Sequence, residues 1–159
     1  QKTFAVDATH SGVLGPGDLI LITGDGSTTG VSEVDIGAAA AANTGVISSV
    51  ALNLAGESLS QTHLSASTAG DVLVNVDAFA TYEVAVSNGP MVVADVGLNC
   101  PAVGIFVSNM GANATGVATT STLPLHIVAL KEDSAGVLGN RAIVRVNATT
   151  SKLGATGIA

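Results

Sequence analysis

Cysteine, aromatic rings and basic side chains are all scarce in this 159-residue chain. Cys100 is the only cysteine, which excludes an intrachain disulfide and a cysteine metal cluster. Placed between Asn99 and Pro101, it reads as a small buried apolar residue, and no neighbouring base is present to make it a nucleophile. Five Lys and Arg stand against twelve Asp and Glu, a formal net charge of −7. The five bases, Lys2, Lys131, Arg141, Arg145 and Lys152, are too scattered to displace counterions from a phosphate backbone, so no direct nucleic-acid partner is expected. No continuous apolar run approaches the about 20 residues a membrane span needs. The first residues, "QKTFAVDATHSG", lack the apolar core of a secretory signal. Charged residues are 11% of the chain, against roughly 25% in an average soluble domain. Its surface is therefore covered by Ser, Thr, Asn and Gly, or is buried against partners.

What is abundant is aliphatic. Hydrophobic residues make up 47% of the chain with no Trp, one Tyr and three Phe, and the length suits one domain with a sizeable core. The apolar residues fall into short runs: 3–6, 18–23, 31–36, 45–54, 71–76, 81–86, 91–96, 102–108, 123–130 and 141–147. Between them lie "GPGD", "GDGSTTG", "STAGD", "SNGP", "NMGANATG" and "SAGVLGN". Short β-prone runs separated by turn signals predict an all-β fold, a small single-domain barrel or sandwich of mostly antiparallel strands. Alternation places Val72, Val74 and Val76 on one face of a strand opposite Leu73 and Asn75. It also sets Tyr82, Val84 and Val86 against Glu83 and Ala85, and Ala142, Val144 and Val146 against Arg141, Ile143 and Arg145. The one helix candidate is "GAAAAANTG" (37–45), which reads equally as a loop. Residues 1–16 read either as an extended arm ahead of a Gly-Pro-Gly hinge, adding a strand to a neighbour, or as the first barrel strand. Residues 17–147 form the barrel domain, and 148–159 are a tail.

Candidate catalytic and ligand sites fail on spacing. In "GDGSTTG" (24–30) Thr29 stands where the third glycine of a dinucleotide turn belongs, and strand-like sequence follows instead of a helix. As a calcium loop starting at Asp25 the same stretch places Ile36 where the bidentate acid is required. His10, His63 and His126 have no second ligand at metal spacing, and no G-x-S-x-G elbow occurs. The two "NAT" triplets at Asn113 and Asn147 read as turn and strand-end residues. No catalytic residue, cofactor or metal is expected.

From residue 70 to about 147 the order of motifs carries a resemblance. "VLVNVDAFATYEVAV", "VADVGLNCPAVG", "TGVATTSTLPLHIVALKED" and "GNRAIVRVN" follow one another, and this sequence resembles the capsid decoration, or cement, proteins of tailed bacteriophages. The resemblance implies a β-barrel structural protein without enzymatic activity. Such a protein sits on the outer surface of the virion shell, often as a trimer or dimer, bridges major capsid protein subunits, and is made in the bacterial cytoplasm. The contact residues expected on this reading are Phe4, Val6, Val13 and Leu14 in the arm, with Asn75 and Glu83 as cross-strand neighbours on the outer wall of a hairpin. Asp71 and Asp77 punctuate that hairpin, and Phe79 is expected to tuck over the barrel end. The alternatives are a β-rich head-fibre or tail component contacting the host surface, and a small β-barrel hydrolase.

Overall fold

Alternating apolar residues in the first half of the chain build five strands whose inward faces can be hidden only by closing on one another. The computed structural model describes residues 1–26, 32–37, 43, 45–51, 62–103 and 110–147. β1 (Lys2–Val6), β2 (Leu19–Gly26), β3 (Ser32–Ile36), β4 (Gly45–Ala51) and β5 (Gly70–Asn75) form a closed barrel in the order β1-β3-β2-β4-β5. Closure removes the exposed strand edges that invite aggregation. β1 completes the ring by pairing antiparallel with β5, Phe4 opposite Val72, and parallel with β3. The barrel core contains Phe4, Val6, Leu14, Ile20, Ile22, Val34, Ile47, Leu64, Val72 and Val74, every one of them buried.

The second half forms a separate six-stranded sheet. Its strands are β6 (Tyr82–Ser87), β7 (Asn99–Cys100), β8 (Ala102–Val103), β9 (Gly111–Asn113), β10 (Leu125–Glu132) and β11 (Leu138–Val146), in the order β7-β10-β11-β6-β9-β8. Val84, Cys100, Leu125, Ile127, Ala142, Val144 and Val146 fill its core, joined there by Leu19 and Val46 from the barrel strands β2 and β4. The two sheets therefore share apolar side chains.

The all-β, barrel-containing class follows from the strand pattern, but several particulars differ from the sequence expectation. Residues 17–147 do not make one barrel: the ring takes in β1, ends at β5, and leaves the rest as the second sheet. Of the two readings of residues 1–16, the strand is the one the structure contains. "MVVADV" is not a strand. Val93–Asp95 is a 3₁₀ turn, because the Asp95 carboxylate accepts the Val92 N–H at 2.8 Å and Gly97 takes a left-handed φ of +88°. β5 and β6 form no hairpin, since β5 already has β1 on one edge and β4 on the other. β2 and β3 pair antiparallel, with Gly24–Gly26 of the "GDGSTTG" stretch inside β2, and its residues 27–30 lie outside the described residues. The alanines at 38–42, residues 104–109 and the tail 148–159 lie outside the described residues, and among those described no helix is long and apolar enough to cross a membrane.

Candidate contact surface

The outer face of the second sheet gathers much of the chain's scarce positive charge. Pleating turns Arg141, Ile143 and Arg145 away from the buried Ala142, Val144 and Val146. Lys131 of β10 lies directly opposite Arg141 in register, a like-charge pair that by itself is unfavourable. Glu83 of β6 resolves it, with its two carboxylate oxygens 2.6 Å from Lys131 Nζ and 2.7 Å from Arg141 Nε. The Lys131 hydrogen bond, followed by the charges of both cations, holds the Glu83 carboxyl below its ordinary range. His126 faces the same way and has Nδ1 3.0 Å from Asn99 Oδ1. Burial, with the Arg145 charge behind it, pushes His126 toward the neutral form.

An apolar patch borders this charged strip. Val92, Val93, Val96, Val128, Val137 and Leu138 are all exposed, Val93 at 70%. Main-chain hydrogen bonds bring them together: Met91 N–H donates to Gly139 O at 3.0 Å, and Gly97 N–H to Ile127 O at 2.9 Å. The 92–96 turn is thereby laid between the start of β11 and the middle of β10. Scattered single exposed apolar residues need no explanation, and a group of this kind on linked segments is a candidate contact surface. Phe79 stands apart from it at 81% exposure.

The residues singled out by sequence are placed differently. Phe4, Val6 and Leu14 are buried within the chain's own barrel, so the anchors expected of a free arm are core residues; Val13 is half-buried. The reason is that β1 pairs with β5 and β3 and turns its apolar face inward. Asn75 and Glu83 are not neighbours: Asn75 pairs with Val46 in the barrel, and Glu83 with Ile143 in the second sheet. Asn75 Oδ1 instead accepts the Asp77 N–H at 3.1 Å, and Asp77 Oδ1 the Phe79 N–H at 2.9 Å. These two bonds turn the chain so that Phe79 projects outward, and it does not cap the barrel end. Asn113 Oδ1 holds a turn through the Thr115 N–H at 2.9 Å. Asn147 is buried, donating to Leu123 O at 3.0 Å. Sequence reading missed the apolar patch because "MVVADV" has strand composition; the signal within it was Asp95 followed by Gly97, a turn pair.

Cys100 is buried, and its thiol is pushed up to about 12 by desolvation. Among the described residues no group of three or more His, Cys, Asp or Glu is arranged to hold a metal ion. No protein-family model, curated protein or solved structure matches this chain.

Proposed function

We propose that the chain is a non-enzymatic structural protein of a tailed-phage virion, binding the outside of the capsid and bridging major capsid protein subunits. The observation that carries this reading is the apolar patch formed by Val92, Val93, Val96, Val128, Val137 and Leu138. It lies within the part of the chain whose motifs resemble the decoration proteins, and it is the kind of surface a bridging protein needs. Burying such side chains against a shell gains roughly 25 cal/mol per Å² of apolar area. Low overall charge keeps the desolvation cost of that burial small, and repetition over a lattice multiplies a modest affinity per copy. The strip of Glu83, Lys131 and Arg141 beside the patch supplies a polar rim. An oligomer on the shell is part of the same proposal.

The test is co-sedimentation of the purified protein with expanded, emptied phage heads and with compact proheads. Binding to the expanded shell, lost in a Val93→Ser/Leu138→Ser variant that keeps its melting temperature, supports the reading. Failure to bind any shell, together with turnover of an ester or peptide substrate, overturns it in favour of a hydrolase.

A further inference from the structure

The chain contains one Asn-Gly pair, Asn88–Gly89, in the exposed turn that follows β6. Both residues hold left-handed backbone, with φ of +65° and +101°, the conformations that Asn-Gly turns favour. Pro90 follows and has no N–H with which to close the turn. Among the described residues the Gly89 N–H has no hydrogen-bond partner. The space beside it is open, with nothing within 4 Å of where a Cβ at position 89 would stand. Gly89 therefore presents a main-chain nitrogen that is free to lose its proton and to approach the neighbouring side chain.

The Asn88 side chain is held by one bond. Its Nδ2 donates to Asn113 Oδ1 at 2.9 Å. That oxygen also accepts the Thr115 N–H at 2.9 Å, which keeps it turned as an acceptor. What the bond ties together is otherwise slightly held. β6 and β9 meet over two register pairs, Val86 opposite Ala112 and Ser87 opposite Asn113. The Ala114 N–H adds a bond to Ser87 O at 3.0 Å. β8 lies at the end of the sheet and reaches it through β9. The amide pair is thus a sizeable share of what fastens the β8–β9 edge to the rest of the sheet.

We propose that Asn88–Gly89 is a hydrolytic modification site, whose conversion to aspartate or isoaspartate unlatches the β8–β9 edge from β6. The Gly89 nitrogen, having given its proton to solvent base, attacks Asn88 Cγ. A Cγ–N bond forms, the Cγ–Nδ2 bond breaks, and Nδ2 takes up a proton and leaves as ammonia. The product is a five-membered succinimide, which water opens. Breaking the bond from the Gly89 nitrogen to Cγ gives aspartate; breaking its bond to the Asn88 main-chain carbonyl carbon gives isoaspartate. One water is consumed, one ammonia is released, and nothing is oxidised or reduced. In aspartate a carboxylate replaces the donor that faced Asn113 Oδ1, so two acceptors oppose each other. In isoaspartate the main chain runs through Cγ and the side-chain amide is gone as well. Because Cγ must swing toward the Gly89 nitrogen to close the ring, the bond to Asn113 is also the brake on the reaction.

The full chain held in warm, mildly alkaline buffer tests it. Peptide mapping by mass spectrometry should find the exchange of –NH2 for –OH at Asn88 ahead of every other asparagine, with isoaspartate at the same position. The rate should rise with hydroxide concentration. Asn113→Ala, which frees the Asn88 amide, should speed the conversion by roughly 2- to 10-fold, the factor that releasing one hydrogen bond allows. In converted protein, amide exchange at Ala112 and Ala114 should quicken while Ala142 and Val144 keep their protection. Asn88→Asp should show that loss from the start, and Asn88→Gln, whose longer side chain does not close the five-membered ring, should not convert. An Asn88 that stays intact while other asparagines convert overturns the proposal, as does conversion that leaves Ala112 and Ala114 protected as before. The wild-type measurements decide the matter alone if the variants do not fold.

Discussion

Gly139 holds the Met91 segment against the sheet: its carbonyl accepts the Met91 N–H at 3.0 Å, and a Cβ at position 139 would run into the Met91 main chain. The residue also takes φ of +90°, a conformation that costs a side-chain-bearing residue roughly 1–2 kcal/mol before any clash. Gly139→Ala is therefore expected to destabilise by more than about 2 kcal/mol and to lift the 92–96 turn from β11. Chemical denaturation gives the first quantity. Loss of amide exchange protection at Met91 and Gly97, with the barrel amides unchanged, would report the second. An unchanged denaturation midpoint would contradict the packing.

Leu19 and Val46 belong to barrel strands yet pack in the core of the second sheet. Side chains shared in this way tie the unfolding of the two sheets together. Leu64→Ala in the barrel core and Ile127→Ala in the second core each delete a fully buried side chain, at an expected cost of about 2–5 kcal/mol. Both variants are expected to melt in one transition, shifted down. Two separated transitions in calorimetry for either variant would show that the shared residues do not couple the sheets.

The strands most legible in the sequence were those with strict alternation and one buried face. Val72 and Val74 in β5, Tyr82 to Val86 in β6, and Ala142 to Val146 in β11 have the facing that the period of two predicts. What alternation does not encode is which strand pairs with which. "DAFAT" reads as the tight connection of a hairpin, and Asp77 does make a turn, but β5 has no free edge to receive β6. Local hydrogen bonds defeated composition at "MVVADV", where the Asp95 carboxylate caps a turn through residues of high β-propensity. The converse happened at Gly111–Asn113, a loop by composition that becomes β9 by filling the space between β6 and β8. The candidate contact surface was illegible for the same reason: the segment carrying Val92, Val93 and Val96 is tied to β11 by the Met91–Gly139 main-chain bond and to β10 by the Gly97–Ile127 bond, and neither is encoded in a local pattern.

Cys100 is expected to be inert in the folded protein. Its thiol is pushed up to about 12 by burial, so at pH 7 only about one molecule in 10⁵ carries the reactive thiolate. Labelling with a thiol-disulfide reagent should therefore be negligible in buffer and complete in denaturant. Its rate in intermediate denaturant should follow unfolding. Rapid labelling of native protein would show the thiol to be accessible.

Glu83 lies between two cations that face each other across β10 and β11, so Glu83→Gln leaves Lys131 and Arg141 in unrelieved opposition. The pair is exposed, and the loss of stability should be small and should shrink further in high salt. The pH dependence has a definite sign. The hydrogen bond from Lys131, then the charges of both cations, lower the folded-state value of the Glu83 carboxyl. Its stabilisation is fully present above the ordinary carboxylate range and is lost as pH falls through the folded value. The difference in melting temperature between wild type and Glu83→Gln should be constant near neutrality and should close as the pH drops below about 4. Glu83→Lys should lose more than Glu83→Gln at neutral pH, because it adds a third cation to the pair. Thermal melts at low and high salt across this range measure all three effects. A wild-type advantage that persists undiminished in acid would show that Glu83 acts through packing, with its charge playing no part.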